Sequence, residues 1–352
     1  LPAYLNAIGT AVPGHDIHRA FIDWASERIA PESRRLFERM AARSGIEHRW
    51  SILPKGDDGR SPVDPGGFYA EAMPSTAERM KIYAEAAPEL GIAAIEALRD
   101  KVDLGEITHL VVASCTGFVA PGIDQIIAER IGLSSATERL LIGFMGCYAA
   151  ITALRSARHI VRSEPDARVL VLTVELSTLH LQEARAIEPL LAMLQFADGA
   201  AAALVTGEAS GIELTRGFAA ALPDSGALIR WDITDRGFAM HLDGEVPQRI
   251  ATALADPALV ATATGGIDPR ALNWAVHAGG RSILDAVEKG LDLPADALAA
   301  SRAVLRANGN MSSSTLMFVL AAMLARGVDG PGVALAFGPG LAAEGIAFRG
   351  VA

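Results

Sequence analysis

The chain has no apolar run near the roughly 18 residues that a membrane-crossing helix requires. It does not open with the basic, then apolar, then small-residue pattern of an export signal. Cysteine is scarce, with only Cys115 and Cys147, so no disulfide framework is expected. Positive charge is also short: 31 Lys and Arg face 41 Asp and Glu, a net charge of −10. A nucleic-acid interface needs a basic face, so nucleic acid is not an expected partner. These absences predict an acidic, cytoplasmic protein with no membrane span and no metal. Against them stands a hydrophobic content of 51% in 352 residues, ample for a large core and about two domains.

The apolar runs alternate in kind. Strand-like runs fall at Tyr4–Val12, His109–Ser114, Arg139–Ile142, Arg168–Val174, Ala200–Thr206, Leu272–Val276 and Val333–Phe337. Helical patterns lie between them, at Pro31–Ser44, Thr76–Leu98, Gly122–Ile131, Tyr148–Arg162, Gly280–Gly290 and Ser312–Ala325. Such alternation predicts buried sheets with helices on their faces. Pro54–Gly67 reads as a surface loop, and Pro223–Arg236 as a loop mixed with a strand.

The pattern also repeats. The segment around Cys115 resembles that around His277, Gly143–Cys147 with its helix resembles Gly309–Ser313 with its helix, and Val169–Leu172 resembles Val333–Ala336. The pairs lie 162, 166 and 164 positions apart. One offset shared by three pairs predicts a duplicated α/β unit, with halves 1–210 and 211–352.

Cys147 follows an apolar strand and small residues, and a helical pattern follows it. A helix N-terminus favours thiolate, which makes a cysteine a nucleophile. A buried structural cysteine is the competing reading. His277 ends a strand before Ala278-Gly279-Gly280. Reactive side chains of α/β proteins sit at such strand ends. The histidines at 15, 18, 48, 109, 159 and 180 lack that context, and His241 is ambiguous. Asn310, one of four asparagines, opens an apolar helix after Gly309. It reads either as a simple cap or as a donor aimed into a cavity. Together the three make an acyl-transfer set: a thiolate, a histidine that pairs with it and then binds an oxyanion, and a neutral amide donor. Residue types alone leave a hydrolase and a Claisen-type enzyme both open.

Six segments, in order and over nearly the whole length, make the chain resemble the type III polyketide synthases, the chalcone-synthase-like branch of the thiolase superfamily. They are Ser114-Cys115-Thr116-Gly117 with Pro121-Gly122-Ile123-Asp124, Gly143–Ala150, Gln195–Ala201, Trp274–Gly280, Gly309-Asn310-Met311-Ser312-Ser313 and Phe337–Leu341. The resemblance implies a thiolase-like duplicated αβαβα layered fold and a homodimer. It implies no permanently bound cofactor, with malonyl-CoA and acyl-CoA as substrates. It assigns Cys147 as acyl carrier, His277 and Asn310 as binders of the thioester oxygen, and Phe196 as a gate between CoA tunnel and cavity. Substrate contacts are implied at Cys115, Thr116, Ala120, Ser177, His180 and Ser312. CoA contacts are implied at Arg39, Arg43, Gly279 and Gly280; for both arginines a solvated helix face competes. Cys115, Ala120 and His180 depart from the usual residues. Small Ala120 and an aromatic content of 5% favour an aliphatic starter. The expected reaction is starter loading, extension and closure to a resorcinol, phloroglucinol or pyrone. A single-condensation enzyme like ketoacyl-ACP synthase III is the alternative. The Phe337–Gly340 and Gly309–Ser312 segments favour the polyketide branch, and a non-catalytic subunit would lack Cys147.

Overall fold

A computed structural model describes residues 1–56 and 61–351. Its strands are β1 (Tyr4–Ala11), β2 (His15–Asp16), β3 (Trp50–Ser51), β4 (His109–Ser114), β5 (Glu138–Gly143), β6 (Val169–Leu176) and β7 (Asp198–Thr206). They continue with β8 (Ile212–Ala221), β9 (Ile229–Thr234), β10 (Gly237–Leu242), β11 (Asn273–Val276), β12 (Pro331–Gly338) and β13 (Ala342–Gly350).

Among the described residues, nine strands join in the order β11-β12-β13-β8-β1-β7-β6-β4-β5. Read outward from its middle, the sheet repeats itself. From β1 the order is β7, β6, β4; from β8 it is β13, β12, β11. In each series the first two pairings are antiparallel and the third is parallel. The repeat in sequence is therefore a repeat in topology, and β1 meets β8 at its centre.

Alternation along the strands builds the layers. Val111, Ala113, Val169 and Val171 face a central layer, which Ala334 and Ala336 also join from the other series. Two helices fill that layer, Ala149–Ser163 and Ser313–Arg326. Ala149, Ala150, Ala153 and Ala157 are small enough to let the first pack closely. Leu110, Val112, Leu170 and Leu172 face outward onto helix Thr76–Arg99. Trp274, Val276, Val333 and Leu335 do the same for helices Val246–Ala253 and Arg281–Gly290. The result is the expected layered α/β fold.

Helix Thr76–Arg99 starts at a capping box, with Ser75 and Glu78 each bonding the other's backbone N–H. The expected mixed segment at 223–236 holds β9, which forms a hairpin with β10. Part of the expected loop at 54–67 lies outside the described residues, and the remainder has turns without helix or strand. Periodicity did not predict β8, β13, or the short helices at Ile187–Met193 and Pro257–Thr264. Among the described residues, no single helix is long and apolar enough to cross a membrane.

Candidate active site

Cys147 sits in a turn that only certain residues can make. After β5 the chain passes through Phe144 (φ 53°) and Gly146 (φ 75°) into a helical turn at Gly146–Tyr148, then helix Ala149–Ser163. Gly146 needs left-handed backbone, and a Cβ there would stand 2.4 Å from Cδ of Pro339. Glycine meets both demands. The nucleophile candidate thus lies where strand hands over to helix, as its sequence context predicts.

His277 follows β11; its N–H donates to Leu335 O at 2.8 Å, and its carbonyl accepts from Gly279 N at 2.9 Å. Asn310 follows Gly309, whose φ is 69°. Asn310 Nδ2 donates to Gly279 O at 3.1 Å, and Oδ1 accepts from Ser312 N at 2.9 Å. An amide nitrogen carries two hydrogens, so one remains for another acceptor. These three side chains line one cavity of about 340 Å³ with Phe196, Gly279 and Pro339. The duplicated fold brings Cys147 from one series of elements to His277 and Asn310 from the other.

Burial shifts both reacting groups toward their neutral forms. Burial pushes the Cys147 thiol up to about 12, and the nearby carboxyl of Glu175 acts in the same direction. Side chains of Ser312 and Asn310 beside the thiol pull the other way. Ser312 Oγ nonetheless makes no well-aligned hydrogen bond. Burial alone pushes His277 down to about 3, and neither ring nitrogen has a hydrogen-bond partner among the described residues. Burial of both groups thus works against the thiolate that the helix terminus favours.

A second, smaller apolar cavity of about 90 Å³ adjoins the first. Phe196, Ala192 and Met240 line both, so Phe196 stands in the shared wall. Ser177, His180, Trp231, Phe238 and Arg49 line only the second. His180 is a wall residue with a fixed tautomer. Its Nδ1 accepts from Phe238 N at 3.1 Å, so Nε2 carries the hydrogen given to Thr116 O at 2.7 Å. Its ring stacks on Phe238 at 4.2 Å, and burial pushes it down to about 4.

Other candidates fall elsewhere. Cys115 is 1% exposed and lines neither cavity; its sulfur accepts from Gly146 N at 2.9 Å, beneath the Cys147 turn. Thr116 is also buried away from both cavities, donating to Glu175 Oε2 at 3.1 Å and accepting from Leu176 N at 2.8 Å. Ala120 is exposed on the surface before cis Pro121, so it does not border the cavity of its own chain. Gly280 makes space for Gln195, whose Oε1 lies 2.0 Å from where a Cβ would stand, and does not line the cavity. Ser312 is fully buried beside Cys147. Arg39 and Arg43 are exposed at the end of helix Pro31–Ala42, whose Met40 lines the first cavity. His241 is on the surface near Asp243. Among the described residues no cluster of three or more His, Cys, Asp or Glu could hold a metal ion.

Sequence reasoning missed Glu175 and Trp231. Glu175 is fully buried, accepts from Cys115 N, Thr116 Oγ1 and Ser313 Oγ, and is pushed up to about 7 by burial. An acidic residue closing the apolar run Val169–Val174 was its signal. Trp231 packs edge-on to Phe144 and Phe196, but an exposed hairpin gives no periodicity that announces a cavity wall.

The layered fold and a cavity lined by Cys147, His277 and Asn310 fit an acyl-transferring enzyme of the thiolase type. The chain belongs to the chalcone and stilbene synthases: the family's N-terminal domain pattern matches residues 2–209 and its C-terminal domain pattern residues 213–352. It is similar to the C-terminal type III polyketide synthase domain of Steely1, a type I/III hybrid from Dictyostelium. Identity there is 25%, the TM-score 0.90, and all of both chains is covered. It is also similar to PKS-I of the brown alga Ectocarpus siliculosus, with 28% identity, a TM-score of 0.89, and 99% and 98% of the two chains covered. It is a type III polyketide synthase, from a family that works on CoA thioesters.

Proposed function

We propose that the enzyme loads an aliphatic acyl-CoA starter on Cys147, extends it with malonyl-CoA and closes the chain to an alkylresorcinol, phloroglucinol or pyrone. The observation that carries this reading is the apolar second cavity behind Phe196, Ala192 and Met240, next to the cavity that holds Cys147.

The roles follow from the three side chains that line the cavity. Loading moves the thiol proton of Cys147 to His277, so both charges arise together and offset each other's burial. The thiolate attacks the starter carbonyl, the C–S bond to CoA breaks, and the departing CoA sulfur takes the proton back. Malonyl-CoA then loses CO₂, and its electron pair moves onto the thioester oxygen. His277 and the free Nδ2 hydrogen of Asn310 hold that oxygen. The enolate carbon attacks the acyl-Cys147 carbonyl, and the Cys147 sulfur leaves as thiolate, which takes up one proton from solvent. Arg39 and Arg43 lie about one helical turn apart beside Met40, which suits CoA phosphates. Gly279 borders the route to Cys147. Ser177 and His180 wall the starter end.

We also read the protein as a homodimer with its halves at 1–210 and 211–352. The edge strand β5 supports the first point. It exposes Leu140 and Leu141 at 42% and 44%, and Phe118 nearby is exposed at 46%. Exposed apolar edges are normally covered. Ala120 lies on the same loop as Phe118.

An acyl-CoA length series tests the starter. Each CH₂ that the chamber accepts adds about 0.8 kcal/mol, roughly fourfold, so kcat/KM climbs with length and then falls. Trp231→Ala should move the optimum to longer chains. An optimum that Trp231→Ala leaves in place, or best activity on malonyl-CoA alone, contradicts the assignment.

A further inference from the structure

Arg49 is fully buried, an uncommon state for a guanidinium. Its donors go to two backbone carbonyls and a ring nitrogen rather than to a carboxylate. Nη1 donates to Met193 O at 3.1 Å and to Phe196 O at 2.8 Å. Nε donates to His18 Nδ1 at 3.1 Å. Burial pushes Arg49 down to about 9, with Asp16 and Asp198 opposing that shift.

The two carbonyls it holds bracket the segment that carries Asn310. Asn310 N donates to Gln195 O at 2.7 Å, and Ala197 N donates to Asn310 O at 2.9 Å. The stem of Arg49 also presses on the residue before Asn310: a Cβ on Gly309 would stand 2.9 Å from Arg49 Cγ and 2.9 Å from Gln195 O. Its neighbour Trp50 donates from Nε1 to Ala307 O at 3.0 Å, fixing the same turn two residues earlier. His277 is held separately, through Leu335 of β12.

From this arrangement we infer that Arg49 is a positioning residue for Asn310, acting through the 193–197 segment, and so for malonyl decarboxylation more than for starter loading. The inference rests on the role given to Asn310 above. The cation is suited to this task because one nitrogen of its planar fork binds two carbonyls three residues apart. A neutral side chain of similar size would fill the space but leave the Phe196 carbonyl without its Arg49 donor and Met193 O with only Phe196 N.

The test measures two steps on the full-length enzyme. Loading is read as acyl-enzyme formed from hexanoyl-CoA by intact mass, and decarboxylation as acetyl-CoA released from malonyl-CoA. Arg49→Met should lower decarboxylation relative to loading by about tenfold, the scale expected from a small misplacement. Arg49→Lys should recover part of that ratio. Gly309→Ala, which presses on the same contact from the other side, should shift the ratio in the same direction even if Arg49→Met folds poorly. Asn310→Ala is run beside them. If Asn310→Ala moves the ratio while Arg49→Met and Gly309→Ala lower both steps equally, Arg49 is merely structural and the inference falls. If Asn310→Ala itself leaves the ratio unchanged, the reading of Asn310 falls and takes this inference with it.

Discussion

The turn at Gly143–Cys147 and the turn at Gly309–Ser313 are the same construction used twice. Each opens one of the two central helices, and each has a left-handed residue at the same place, Gly146 (φ 75°) and Ser312 (φ 49°). The chemistry is placed differently. In the first turn the residue after the left-handed position, Cys147, lines the cavity. In the second turn the corresponding residue is Ser313, whose hydroxyl donates inward to buried Glu175. There the cavity receives Asn310 instead, two positions before the left-handed residue. One backbone solution thus presents the proposed nucleophile in one turn and the proposed amide donor in the other. The duplication makes a site with two distinct sides.

The largest predicted effect sets the corresponding residues against each other. Cys147→Ala should abolish loading and product, because no other residue of that turn can form the thioester. Ser313→Ala should leave turnover within about tenfold and act mainly on stability, by removing one hydrogen bond of about 1 kcal/mol. Product formation by Cys147→Ala would break the comparison.

The two donors come next. Each should contribute about 10²–10³ in rate. His277→Ala should harm loading more than Asn310→Ala, since only His277 takes the thiol proton. Asn310→Asp should decarboxylate malonyl-CoA more slowly than Asn310→Ala, because a carboxylate repels the forming enolate. Equal, mild losses in all three would point to structural roles.

Acid should act on both halves. His18 and His180 in the first are pushed down to about 4 and His277 in the second to about 3, against an ordinary 6.5. Folding holds all three neutral. Their contribution is complete above pH 6.5 and is lost as pH falls from there to about 4, and for His277 to about 3. Melting temperature should therefore drop below pH 6.5, and His180→Gln should flatten that drop. A melting temperature constant from pH 7 to 4 would contradict the burial argument.

The smallest effects sharpen the backbone comparison. Gly146→Ala puts a Cβ on a left-handed residue, costing about 1–2 kcal/mol before Pro339 shifts. Ser312→Gly relieves the same kind of strain in the other turn and should stabilise by under ~1 kcal/mol. Thermal denaturation of both variants checks the opposite signs.

Much of this was legible in the sequence. Buried strands such as β4 and β6 are continuous apolar runs, and the strand-to-helix context marked Cys147. The repeat offset predicted which segments correspond. Residue type and spacing did not give orientation. Cys115 and Thr116 end a strand near the site yet point beneath it, because Gly146 and Glu175 claim their polar atoms. Ala120 belongs to an exposed loop, so its size says nothing about its own cavity. A helix terminus that favours thiolate can be read locally, whereas the desolvation that opposes it depends on distant elements that close over the sulfur. Arg49 and Glu175 escaped notice because a charged residue in a sequence looks exposed until its buried partners are known.

The central claim is that the two turns divide the labour, with Cys147 alone carrying the acyl group. The direct measurement is intact mass after mixing with hexanoyl-CoA, followed by peptide mapping under conditions that preserve thioesters. The account predicts one hexanoyl group per chain, on the peptide containing Cys147, and none in Cys147→Ala. A hexanoyl group on Cys115, or product formed with no acyl-enzyme at any time, would contradict it.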